Sequence, residues 1–184
     1  MSIMIKLILM YLLSNRRIMT TKSNLLDYIN CRILDVLSKN ASLPFVELAK
    51  QIGISDATIH TRVKKLLALG VIKKFTIFVD NNLLGYDHLA FINLKIEKGR
   101  TEETTKNLME IDEILEIHEI YDKFDLIIKI RSKNLDDMRD IIVNRILSIN
   151  YIKETEFITV LRTRKEEQTI SLNKEINQKS KDFF

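Results

Sequence analysis

Apolar residues recur at Leu26, Ile29, Ile33, Leu34 and Leu37, the i, i+3, i+4 spacing of one buried helix face. That spacing predicts a helix from Leu25 or Leu26 to Ser38, broken by Asn40 and Ser42. Pro44 suits the first turn of a second helix, where a missing N–H costs nothing. This helix turns Leu48, Ala49 and Ile52 inward and ends at Gly53, which can take a left-handed cap. Ala49, small and four residues before Gly53, lets the next helix approach closely. Ser55 is a good N-cap and Asp56 suits the positive end of a helix dipole. Beyond them Ile59, Val63 and Leu66 stack at i, i+4, i+7 on a third helix.

The pattern changes after Tyr86. Leu89, Phe91, Asn93 and Lys95 alternate with Ala90, Ile92, Leu94 and Ile96, a half-buried strand. Thr101 to Ile111 reads as a helix, Ile114 to Ile120 as a second strand, and Leu126 to Ile130 as a third, apolar on both sides. Asn134 to Leu147 has helical spacing at Leu135, Met138, Ile141, Ile142 and Ile146, and Ile152 to Leu161 closes as a fourth strand. The order β-α-β-β-α-β is that of a ferredoxin-like unit, with both helices on one side of the sheet. Its other face needs cover, and a second copy laid there would bury the apolar side of the first and fourth strands, giving a homodimer. The tail from Asn173 to Phe184 is polar apart from its last two residues and is expected to fray.

Two short helices meeting at a small-residue turn place the second where it can enter a DNA major groove. Advancing about 100° per residue from Ile59, the outward face carries Ala57, Thr58, His60, Thr61, Lys64 and Lys65, with Arg62 on the flank. The short Thr58 and Thr61 let the helix sink into a groove and offer hydroxyls and methyls to base edges. Lys64 and Lys65 suit phosphates. An ordinary solvated helix also carries lysines, but here the Ser55 cap, the glycine turn, Ala49 and the basic face fall in one register.

Charge supports a polyanion partner for the first half alone. Residues 1–80 hold 12 Lys and Arg against 5 Asp and Glu, and residues 81–184 hold 17 against 20, within an overall net charge of +4. The single cysteine, Cys31, excludes an internal disulfide framework, fits a reducing cytoplasm and falls in a helical pattern as a packing residue. His60, His88 and His118 are far apart without cysteine companions, so no metal site and no cofactor is expected. Ile3 to Leu13 is too short to span a bilayer, and its basic pair Arg16 and Arg17 follows the apolar run, against the order of a secretory signal. It reads as an amphipathic anchor, a partner-binding helix or, preferred, an extension ahead of a true start at Met19.

The run Leu26–Leu84 resembles the N-terminal domain of the Lrp/AsnC (leucine-responsive, feast/famine) regulators. The matching pieces are the opening L-D-x-I-x-x-x-I-L, the central E-L-A-x-x-x-G-I-S and the closing R-V-K-x-L-x-x-x-G-V-I-K. The resemblance continues to about Leu172 through the family's effector-binding and oligomerisation (RAM) domain. It implies an α+β protein: an N-terminal winged helix-turn-helix domain followed by a C-terminal ferredoxin-like βαββαβ domain. The expected parts are an extension (1–22), the DNA-binding domain (23–70), a hinge strand and linker (71–86), the effector domain (87–172) and a tail (173–184). Val71 to Val79 alternates suitably for the hinge strand.

Function follows as a sequence-specific, cytoplasmic transcriptional regulator, not an enzyme, that binds double-stranded DNA through Ser55, Ala57, Thr58, His60, Thr61, Arg62, Lys64 and Lys65. The family assembles as dimers or larger oligomers and binds a small amino-acid effector, with a Gly-x-Tyr-Asp turn as its signature. Here that turn is Asp122-Lys123-Phe124-Asp125: aspartate replaces the glycine, and its carboxylate would repel an effector carboxylate that Lys123 partly compensates. A plain polar hairpin reads as well at this turn. Two other readings stay open. Siroheme decarboxylases resemble the same family and would need an acid or base such as His88 or His118; an effector-sensing partner would work without touching DNA.

Overall fold

The computed structural model describes residues 25–183, and the 1–22 extension with its alternative start at Met19 lies outside the described residues. The chain divides into two compact units, one of residues 25–77 with 167–183 and the other Phe78–Glu166.

In the first unit, α1 (Tyr28–Lys39) begins where the Asp27 side chain accepts the Asn30 N–H at 2.7 Å. α2 (Phe45–Ile52) follows Pro44, which is the N-cap and so lies one position ahead of the first turn. It ends at Gly53, whose φ of 83° is left-handed, and the N–H groups of Gly53 and Ile54 both donate to the Ala49 carbonyl. α3 (Asp56–Ala68) starts at Ser55, whose side chain accepts the Thr58 N–H. Ile29, Ile33, Leu37, Leu48, Ala49, Ile59, Val63 and Leu66 form the core of the three helices.

Val71 to Val79 forms no strand. A strand exists by its ladder of hydrogen bonds, and among the described residues no strand pairs with this segment; Phe75, Ile77, Phe78 and Val79 stay exposed. The tail also departs from expectation. Asn173–Phe183 is a helix, α6, packed on α1. Its few apolar residues sit at helical spacing, so tertiary packing outweighs its polar composition.

The second unit contains β1 (His88–Ile96), α4 (Thr101–Met109), β2 (Ile114–Glu119), β3 (Leu126–Ser132), α5 (Leu135–Asp140) and β4 (Ile152–Thr159). The predicted long second helix changes to π-helical winding at Ile141–Ile146, where the Leu147 N–H reaches back to the Ile142 carbonyl. The sheet order is β2-β3-β1-β4 with every pair antiparallel, the ferredoxin-like arrangement. Ala90, Ile92 and Leu94 of β1 stand opposite Ile130, Ile128 and Leu126 of β3. They pack with Leu108, Met138, Ile141 and Ile146 from the helical segments.

The other sheet face is more ionic than its sequence suggested. Lys129 on β3, expected within an apolar strand, is 7% exposed, and Arg131 is 6% exposed. Lys129 donates to Glu116 at 3.1 Å and to Glu166; Arg131 donates to Glu166 at 2.9 Å and to the Tyr86 carbonyl at 3.1 Å. Two buried cations are thus answered by two carboxylates, the arrangement that makes burial of charge tolerable. The His118 hydrogen bond, then those of Lys129, hold the Glu116 carboxyl below its ordinary range against the opposing effect of burial. Lys129, then the charge of Arg131, does the same for Glu166. Burial works against the Lys129 charge, but hydrogen bonds to Glu166 and Glu116 outweigh it and raise the ammonium above its ordinary value.

The depressed carboxylates contribute stability that is present above the ordinary glutamate value of about 4.3 and is lost as pH falls through their lower folded values. The raised lysine contributes stability that is complete below about 10.4 and is lost as pH rises through its higher folded value. Urea unfolding followed against pH should therefore show a neutral plateau with a fall at both ends, and Glu166→Gln should flatten the acid limb. An acid limb unchanged by that substitution would remove Glu166 from the account.

Candidate nucleic-acid interface

Three residues set how α3 is turned about its axis. Ile59, Val63 and Leu66 are at most 2% exposed, whereas Ala57, His60, Thr61, Lys64 and Lys65 are all exposed on the opposite side. Ser55, also exposed, fixes where the helix begins. Lys64 and Lys65 make no ion pair among the described residues, so both ammonium groups are available to an anion.

The hydroxyls are more constrained than spacing alone suggested. Thr58 Oγ1 lies 2.8 Å from Ser55 Oγ, within the cap. Thr61 Oγ1 donates to the Ala57 carbonyl at 2.9 Å. With its proton committed, the Thr61 oxygen keeps acceptor capacity and its methyl group remains exposed. It suits a base-edge donor or a thymine methyl. His60 is held edge-on to Phe45, ring centroids 4.9 Å apart, with Nε2 3.6 Å from Asp56 Oδ1.

Arg62 serves a different purpose from the lysines. Its Nη1 donates to Asp27 Oδ2 at 2.5 Å and to Asn30 Oδ1 at 2.9 Å. Arg62, expected on the flank of the DNA-binding face, thus ties α3 to the start of α1. Asp27 and Asn30, which periodicity did not single out, are the two side chains that hold Arg62. Asp27 fell inside the helix predicted from Leu25 or Leu26, whereas it is the N-cap of α1, and nothing local marks its partner 35 residues away. An open groove of about 480 Å³ lies along this seam, lined by Leu25, Asp27, Asn30, Thr58, Thr61, Arg62 and Lys65 among others. Across α3 a second hollow of about 400 Å³ is bordered by Phe45, His60, Lys64 and Phe75. The outward ridge of α3 thus stands between two grooves.

The Asp122–Asp125 turn joins β2 to β3. Asp125 is occupied structurally: Oδ2 accepts the Ile96 N–H at 2.8 Å and Oδ1 the Lys95 ammonium at 3.1 Å, and the first of these chiefly lowers its pKa. Phe124 is buried at 5% exposure. Lys123 lies over its ring and donates to Glu154 at 2.6 Å, which raises the ammonium pKa. Asp122 is exposed. The turn therefore presents one uncommitted carboxylate and one cation already engaged. His88 begins β1, while His118 on β2 lies 3.1 Å from Glu116. No group of three or more metal-ligating side chains is found among the described residues, and no helix there is long and apolar enough to cross a membrane.

Two family models match the chain: winged helix-turn-helix DNA-binding over residues 26–73 and Lrp/AsnC ligand binding domain over residues 89–170. The HTH-type transcriptional regulator FL11 of Pyrococcus abyssi is 40% identical over 141 residues, covering 77% of this chain and 93% of that protein. The regulatory protein AsnC of Haemophilus influenzae is 31% identical over 132 residues, covering 71% and 88%. The solved structure of AsnC from E. coli superimposes with a TM-score of 0.74 at 31% identity, covering 79% of this chain and 98% of that one.

Removing the Ser55 cap by Ser55→Ala should cost about 1 kcal/mol. Arg62→Ala, which frees a partly exposed ion pair but leaves two hydrogen-bond acceptors unanswered, should cost about 1–2 kcal/mol. Thermal unfolding of the two variants measures both, and an Arg62→Ala protein as stable as the parent would show that the seam between α1 and α3 does not need this tie.

Proposed function

The chain belongs to the Lrp/AsnC family of helix-turn-helix transcriptional regulators, and from that premise we propose that it reads DNA with the outward ridge of α3 as a homodimer. The observation that carries this reading is the exposed, unpaired Lys64 and Lys65 beside Thr61 on a helix whose opposite side is locked into the core. The ridge enters the major groove. Thr61, with Ala57 and Thr58 beside it, meets base edges; Lys64 and Lys65 hold phosphates, and Ser55 and His60 flank the contact. Arg62 acts through Asp27 and Asn30 by holding the helix at its angle. Phe75, Ile77, Phe78 and Val79 are exposed, and the same segment of a second copy covers them by antiparallel pairing. Two copies then present two α3 helices to two half-sites, and a DNA partner places the protein in the cytoplasm.

The second unit, matched as a ligand binding domain, takes a small amino-acid-like effector near the Asp122–Asp125 turn. Asp122 suits the ammonium group of such a ligand, while its carboxylate must draw Lys123 away from Glu154. The enzyme reading has no comparable support: the curated relatives are named as regulators, and His88 and His118 stand on different strands.

Fluorescence anisotropy of the full chain on its selected operator and on random duplex tests the reading. Lys64→Gln with Lys65→Gln should weaken binding to both DNAs and lower the slope of log K against log salt by about 0.9 for each phosphate no longer neutralised. Thr61→Ala should leave random-duplex binding unchanged and reduce discrimination at one base position by about 1–3 kcal/mol. Unchanged affinity and slope in the double lysine variant would overturn the assignment of this face.

A further inference from the structure

The chain crosses between its two units twice, at 77–78 and again at 166–167 on the way into α6. The second crossing is fastened on both sides. Before it, Glu166 is held by the buried Lys129 and Arg131. After it, α6 packs on α1. The half-buried residues there are Leu172, Glu175, Ile176, Lys179 and Ser180, which recur at i, i+3, i+4, i+7 and i+8 along one continuous helix face. One carboxylate oxygen of Glu175 is shut off from solvent.

The clearest trace of this contact is on α1. With Ile29 at zero, Ile33 and Leu37 fall within about 80° of it while Cys31 falls at about 200°, on the far side of the helix from the three-helix core. Cys31 has no place in that core, yet it is 0% exposed. A side chain on the outer face of a helix is buried only when something lies over it. The charges near the Cys31 sulfur include Lys179 and Glu175 of α6, and burial pushes the thiol above its ordinary range. Both family models end before α6, at residues 73 and 170, so neither covers this helix.

We propose that residues 160–183 form a strap, latched by Glu166 in a socket of Lys129 and Arg131 and clasped by α6 over the outer face of α1, which supports the DNA-reading helix from behind. The route of that support is short. Cys31 sits one residue from Asn30 and four from Asp27, the two side chains that hold Arg62 of α3. A clasped α1 keeps that anchor rigid, and an unclasped one lets the start of α1 open locally. The effect on DNA affinity rests on the DNA-binding reading above, whereas the clasp itself does not.

The single cysteine makes the clasp measurable in the full chain without DNA. In the parent protein Cys31 should react slowly with a thiol reagent under native conditions. Ile176→Asp, which places a charge in the docking face, and Ser180→Pro, which breaks α6, should each raise the labelling rate by about tenfold or more. Glu166→Gln, which loosens only the latch, should give a smaller rise. Cooperative thermal unfolding of each variant establishes that faster labelling comes from unclasping and not from loss of the fold, and if one α6 variant fails to fold the other carries the test. Labelling unchanged in a folded α6 variant overturns the clasp, and labelling unchanged in Glu166→Gln overturns the latch. In anisotropy titrations the unclasped variants should bind the operator more weakly; faster labelling with unchanged affinity overturns the support of α3. Failure of the Lys64 and Lys65 substitutions to weaken binding would strike the DNA reading alone, since labelling reports the strap independently.

Discussion

Everything on the interface follows from the burial of Ile59, Val63 and Leu66. A helix has one stripe to give to a core, and each of these side chains contributes about 1.5–3 kcal/mol by leaving water. Turning α3 by one residue would forfeit that burial, so its rotation is fixed without any contact on the opposite side. The outward ridge can therefore carry whatever residues recognition requires. Ser55 and Gly53 settle where the helix begins, and Arg62 settles its angle to α1. The ridge is rigid although none of its lysines is held.

The sheet divides its two faces by a different logic. Its helix side is apolar and gains stability by burial, whereas its other side buries Lys129 and Arg131, which are costly to desolvate and are tolerated because Glu116 and Glu166 answer them. Such a network adds little net stability but punishes misplacement of any member, since each cation left alone is an uncompensated buried charge. It therefore fixes where the chain leaves the sheet. Glu166 is that exit, and the tail that follows is placed accordingly.

What was legible in the sequence was what local period controls. The three helices of the first unit, the glycine cap and the outward face of α3 came directly from 3.6-residue spacing, and the βαββαβ order came from alternation. The residues missed were those whose meaning depends on a distant partner. Arg62 was placed on the flank of α3 with no partner in view, because Asp27 is 35 residues away. Lys129 lay within an apolar run, and only the path of the chain near Glu166 shows why a lysine is buried there. Asp125 matched a signature position, but its carboxylate is engaged by the Ile96 N–H and by Lys95. The tail was read by its polarity, and α6 instead uses the few half-buried residues aligned on one face.

The segment after α3 has a consequence beyond pairing. Phe75-Thr76-Ile77-Phe78-Val79 combines aromatic and β-branched residues with no charge, no proline and no glycine, the composition from which cross-β aggregates nucleate. A newly made copy exposes this run until it is covered. Lys73 and Lys74 on one side and Asp80 on the other flank it with charge, the placement by which proteins restrain open-ended stacking at an unavoidable apolar strand. The solubility of freshly synthesised protein is thus guarded by three charged residues at the ends of this run.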